Sequence, residues 1–173
     1  MDLKPSVHAG NLVSLTRHAD SLEGRFLPRW AGFMAIRDED SAPETIVPTV
    51  DLDEGTRSTT RLDPLPWSSL VPWFLVQAAM PGTVAFGYRG DTAVFSTDDG
   101  SWAAISLKPG EADEREARQG GPVRIWDEFE AAQRTWDELG RPNWDRLGLT
   151  VTPDGRHRVW LDAPASGIGW DLS

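Results

Sequence analysis

The run Arg118–Pro164, RQGGPVRIWDEFEAAQRTWDELGRPNWDRLGLTVTPDGRHRVWLDAP, decides the fold. In its first half Ile125 or Trp126, Phe129, Ala132, Trp136 and Leu139 recur every three to four residues, which predicts an amphipathic helix over Pro122–Leu139. Pro122 suits the first turn, and Asp127, Glu128 and Glu130 lie toward the positive end of the helix dipole. Gly140 followed by Pro142 supplies the stop. In the second half Leu147–Thr152 and Arg156–Asp162 flank Pro153-Asp154-Gly155, the chemistry of a type I turn with its bulge, and predict a hairpin.

Upstream, Trp67–Met80 begins with serines that can cap a helix and has almost no polar face, so it predicts a second helix buried on most sides, with Pro72 in its first turn or so. Thr83–Tyr88, Thr92–Ser96 and Ser101–Leu107 are β-rich runs separated by turn residues, which predict a three-stranded meander. Lys108–Gly121, with its acidic residues and glycine breaks, is expected to be a polar loop. Near the start, Asn11–Arg17, Leu22–Leu27 and Gly32–Arg37 are expected to be short strands. Asp38–Glu54 carries seven acidic and no basic residues and is expected to be a solvated loop with at most a short strand at Thr45–Val50. The acidic loop region as a whole covers residues 38–66. The fold class that follows is α+β, an antiparallel sheet made of meander plus C-terminal hairpin, with two main helices, one buried and one amphipathic.

A length of 173 residues fits a single domain that buries roughly 70% of its unfolded surface. There is no apolar run of the roughly 18 residues a membrane span needs, so no membrane partner is expected. With 27 acidic residues against 17 basic ones, a net charge of −10 repels a phosphate backbone, which argues against nucleic acid. The absence of cysteine excludes disulfides and thiolate metal sites, and with no apolar h-region at the N-terminus a cytoplasmic location is expected.

Catalytic apparatus is not legible. His8, His18 and His157 are scattered without ligand spacing, and there is no G-x-S-x-G, phosphate loop or H-E-x-x-H. A cation site at Asp38, Glu39 and Asp40 would have suitable oxygen ligands but nothing to fix their geometry, so no metal is expected. Trp-Asp occurs at 126, 136, 144 and 170, at spacings that do not match a propeller blade. Nine tryptophans against one tyrosine is the compositional oddity. Most should be core, with one to three left for a recognition surface. Arg124, Arg156 and Arg158 beside Trp126 and Trp160 combine guanidinium with aromatic surface, a pairing that favours acidic or extended peptides. Arginines that merely balance acidic neighbours are the plainer alternative.

GLTVTPDGRHRVWLDAP, the preceding RQGGPVRIWDEFEAAQRTWDELGRP and the N-terminal GNLVSLTRHADSLEGRFLPRWAGFM together resemble the C-terminal region of methyltransferases related to protein-L-isoaspartate O-methyltransferase. These belong to the kind that serves ATP-grasp peptide-maturation (graspetide) systems. The resemblance covers both ends and only loosely the middle, Asp38–Arg115. It implies an S-adenosylmethionine (SAM)-dependent protein or peptide carboxyl O-methyltransferase whose SAM-binding domain lies outside these residues. Met1–Arg17 would then be the last strand-turn-strand of that core, with Gly10 and Asn11 near the family's glycine-asparagine turn. No catalytic residue can be carried over, and no cofactor is expected to bind this chain. The expected function is therefore a non-catalytic accessory or peptide-recognition module, with a peptide or protein substrate as partner. A methyltransferase core subunit is a further candidate partner, and a homodimer could form through an edge strand near Asn11 or Leu22. The alternatives are a fragment or subunit of an active carboxyl methyltransferase, and a tryptophan-rich carbohydrate- or peptide-binding domain.

Overall fold

The computed structural model describes residues 2–6, 9–31, 54–65, 68–80 and 84–172. The expected strands at 32–37 and 45–50, most of the acidic stretch with Asp38, Glu39 and Asp40, and His8 lie outside them. In chain order the elements are β1 (Asp2–Ser6), β2 (Ala9–Arg17), β3 (Leu22–Phe26), β4 (Thr56–Thr60), α1 (Leu70–Ala79), β5 (Ala85–Arg89), β6 (Thr92–Ser96), β7 (Trp102–Ser106), β8 (Arg115–Gly120), α2 (Ile125–Glu138), β9 (Leu147–Val151), β10 (His157–Leu161) and β11 (Gly169–Leu172). The fold is α+β, with two antiparallel sheets. No helix among the described residues is long and apolar enough to cross a membrane.

The chain forms two compact units that interleave in sequence. One gathers Met1–Ala35, Leu70–Pro81 and Ala132–Ser173, and its sheet runs β1-β2-β3-β9-β10-β11. The strands of both chain ends meet at β3 and β9, where Leu22 stands opposite Val151 and Arg25 opposite Gly148. Helix α1 packs against β1, β2 and β11. Its side chains from Val71 to Ala78 are buried, as a sequence that is apolar except for Gln77 requires. Phe74 meets Phe26 and Trp144 at ring-centroid distances of 5.5 and 5.2 Å. Each such ring stabilises the fold by about 1.5–3 kcal/mol through burial.

The second unit gathers Ile36–Ser69 and Gly82–Ala131, and its sheet runs β4-β8-β7-β6-β5. The meander β5–β7 stands where the sequence places it. Phe95 is the hub of the core, 5.5 Å from Trp126 and 5.7 Å from Phe129 on the first half of α2. Those contacts explain why the apolar stripe of α2 begins as it does. The helix starts at Ile125 rather than Pro122, because a side chain from the sheet caps it. Gln119 of β8, fully buried, accepts hydrogen bonds through Oε1 from the N–H groups of Trp126 (2.6 Å) and Asp127 (3.4 Å). It donates one through Nε2 to the Asp127 carboxylate (2.7 Å). A helix leaves its first N–H groups without internal partners, and here a strand supplies the acceptor. At the other end Gly140 takes a positive φ of 78°, and the Arg141 N–H returns to the Trp136 carbonyl, closing the helix where the sequence puts the stop.

Several expectations are corrected. Lys108–Gly121 is not simply a polar loop, since β8 lies within it between β4 and β7. Its inward side chains, Ala117 and Gln119, are one small and one polar, which hides the alternation that marks a strand. The region 38–66 contains β4, a polar edge strand, and the tail contains β11. Strands β2 and β3, the expected free edges, are interior to their sheet, each paired on both sides.

Candidate functional site

Arg124 and Trp126 belong to one unit, and Arg156, Arg158 and Trp160 to the other. None of the five offers the exposed guanidinium-and-indole pair that the sequence suggested. Trp126 is 2% exposed, between Phe95 and Phe129. Trp160 is 3% exposed: its ring lies across Gly148, its cross-strand partner, and its indole N–H donates to Thr150 Oγ1 at 3.0 Å. The arginines are each held by a nearby carboxylate, Arg124 by Asp127 (3.3 Å), Arg156 by Asp154 (2.9 Å) and Arg158 by Asp171 (2.9 Å). Exposed pairs of this kind contribute about 0–1 kcal/mol. The plainer alternative, arginines balancing local acid, describes what is seen.

A denser polar cluster surrounds Trp160. Arg25 stacks its guanidinium over the indole, 5.1 Å from the ring centroid, and donates to the backbone carbonyls of Asp145, Arg146 and Asp162. Arg146 grips Asp162 with two bonds of 2.8 and 2.7 Å. That grip holds the Asp162 carboxyl below the usual carboxylate range, chiefly through the hydrogen bond from Arg146, and raises the Arg146 guanidinium in turn. These bonds run from Arg25 and Arg146 to Asp162 and to the backbone just ahead of β9, so the cluster fastens the start of β9 to the end of β10. The turns behave alike. The Thr97 and Ser101 bonds lower Asp99, and the Thr152 hydroxyl lowers Asp154. On the exposed end of β5, Tyr88 is pushed up by partial burial and then by the charge of Asp63.

Gly10 and Asn11 do not form a turn; both lie in β2. Asn11 is completely buried and works as a clamp on the segment Leu27–Ala31. Its Nδ2 donates to the Leu27 carbonyl at 2.9 Å, while its Oδ1 accepts from the N–H groups of Ala31 (2.9 Å) and its own neighbour Leu12 (2.8 Å). Asn143 Nδ2 adds a bond to the Pro28 carbonyl at 3.3 Å. The segment is thus fixed at both ends and in between, and it carries the one strongly exposed indole among the described residues, Trp30 at 55% exposure, with Leu27 and Arg29 beside it. The sequence places Pro28-Arg29-Trp30 between two expected strands but gives it no role; the signal for its bracing was Asn11, an isolated asparagine ahead of an apolar strand, which looks like turn chemistry.

Among the described residues no group of three or more histidine, aspartate or glutamate side chains is placed to hold a metal ion. No family model, no curated protein and no solved structure matches this chain.

Proposed function

We propose that the chain is a non-catalytic, cytoplasmic peptide-recognition module, similar in role to the C-terminal region of SAM-dependent protein or peptide aspartyl (isoaspartyl) O-methyltransferases. The observation that carries this reading is the braced segment Leu27–Ala31. It presents Trp30, Arg29 and Leu27 to solvent on a backbone whose two ends are tied to the buried Asn11 amide. Tryptophan and arginine are the side chains that most often dominate a binding interface. A loop ordered beforehand loses little conformational freedom on binding, which raises affinity. The resemblance of both chain ends to the methyltransferase family supplies the chemistry of the partner, a peptide bearing an aspartyl or isoaspartyl carboxylate, which Arg29 complements.

Two measurements test this. Titration of the full chain with an isoaspartyl-containing peptide should quench the emission of Trp30, and Trp30→Ala should abolish that change while leaving the unfolding midpoint where it was. A response that survives Trp30→Ala removes the loop from the function. Calorimetry with SAM should give no heat of binding, and incubation with the labelled methyl donor and the same peptide should transfer no label. Micromolar SAM binding or methyl transfer would replace the proposal with the alternative, a working part of a carboxyl methyltransferase.

A further inference from the structure

The five-stranded sheet ends in β4, and this edge differs from the other three. Strand β1 contains Pro5 and a register shift between Leu3 and Ser6, β11 is four residues long, and β5 has Gly87 at its centre. By contrast β4, Thr-Arg-Ser-Thr-Thr, keeps five consecutive register pairs with β8, from Thr56–Gln119 to Thr60–Arg115, without a bulge. It has no proline or glycine and is rich in β-branched threonine. Thr56, Arg57, Ser58 and Thr59 are all exposed. Among the described residues no strand pairs with its outer side. Proteins usually protect such an edge with proline, a bulge or brevity, because its unpaired N–H and C=O groups are a template for another strand.

The charge on this edge is also unbalanced. Arg57 stands directly opposite Arg118, and like charges in that relation disfavour the pairing. Arg118 is drawn along its own strand to Glu116 at 2.8 Å. Among the described residues Arg57 has no carboxylate partner, in a chain with 27 acidic residues against 17 basic ones. An added strand with a carboxylate beside Arg57 would give each of the two facing arginines an acidic neighbour, the new carboxylate for Arg57 and Glu116 for Arg118, on one face of the sheet.

We infer that β4 is the docking edge for an extended peptide, which joins the sheet as a sixth strand by main-chain hydrogen bonds and is selected by one aspartate or glutamate side chain laid against Arg57. This deepens the peptide-recognition reading and rests on it. The neighbouring positions of β4 are threonine and serine, so the edge is tolerant of sequence except at the acidic position. β-Strand addition has this division of labour, with the backbone giving affinity and alternate side chains giving choice.

The probe is acetyl-Thr-Thr-Val-Asp-Val-Thr-Thr-amide, followed by amide NMR of the full chain. Its addition should shift the resonances of residues 56–60 and slow hydrogen exchange at those β4 amides that point away from β8. Methylating the peptide nitrogens at alternate residues should abolish binding in one of the two phases and spare it in the other. Arg57→Ala should weaken the probe about fivefold. Arg57→Glu should weaken it more than about tenfold, with binding recovered by the probe that has lysine in place of aspartate. Arg57 is exposed, so these variants keep the fold. Failure of the probe to bind, or binding that ignores both N-methylation and Arg57, overturns the inference. If the isoaspartyl peptide still quenches Trp30 in that case, the broader recognition reading stands without β4. Protection of the β4 amides in a dimer of the free chain also overturns it, because the edge is then taken by a second copy.

Discussion

Both sheets contain a tryptophan directly opposite a glycine, Trp160 against Gly148 in one and Trp102 against Gly120 in the other, and in each the indole lies over the bare backbone of its partner. The two differ in what completes the cover. Trp160 is roofed by the Arg25 guanidinium and has its N–H bonded to Thr150, whereas Trp102 lies against a second glycine, Gly55. One arrangement is polar and directional, and the other depends on close backbone approach. A large ring on an empty neighbour fixes which residues face each other, since a slip of one position would put the ring onto a side chain. The same composition therefore gives two different locks, and they should break differently.

The largest effect is expected at Gly148. A Cβ there would lie 2.1–2.4 Å from three atoms of the Trp160 ring, so the indole must leave its seat and lose both Arg25 and Thr150. Gly148→Ala should cost about 3 kcal/mol in urea unfolding, with Trp160 emission shifted to the red. At Gly120 the nearest approach is 2.5 Å, to Trp102 Nε1, and Gly120→Ala should cost about 2 kcal/mol. Equal losses at the two glycines would show that the polar roof adds nothing. Arg25→Ala tests that roof directly: it should cost about 1–2 kcal/mol and open Trp160 to quenching by iodide, with the second sheet untouched. Gln119→Ala, by uncapping α2, should cost about 1 kcal/mol and lower the helical signal in far-ultraviolet circular dichroism.

The smallest effect is a matter of pH. The Asp162 carboxyl is held below its ordinary value of 3.8, so the unfolded chain takes up a proton there at higher pH than the folded one. The stabilisation is fully present above that ordinary value and disappears as pH falls through the lower folded value. Asp162→Asn should flatten the acid limb of a stability-against-pH curve below about pH 4 and lower the neutral plateau slightly, because the contact with Arg146 is fully made there.

Local structure was legible in the sequence wherever partners are neighbours along the chain. The stripe of α2, the turns of the meander and the Pro153-Asp154-Gly155 hairpin each announce themselves within twenty residues. Strand β8 did not, because its inward Gln119 is there to cap a helix rather than to fill a core and its other inward residue is only Ala117, so no apolar alternation is visible. Strand β4 was hidden by the same lack of apolar alternation. The candidate site failed for a related reason. Trp160 between Arg158 and Asp162 looks like a surface platform until Gly148, on the adjoining strand, is seen to make room for the ring. Asn11 was singled out for turn chemistry, yet its amide is needed because a strand end and a distant loop meet there.

The junction of β3 and β9 has a consequence for biosynthesis. Leu22 must wait for Val151, more than a hundred residues further along, and at about 5–20 residues per second the ribosome takes on the order of ten seconds to deliver it. During that interval Val13 and Phe26, buried in the finished protein, belong to strands with an unfinished sheet. The two early strands therefore cannot take their final place in the sheet until the C-terminal hairpin has been made.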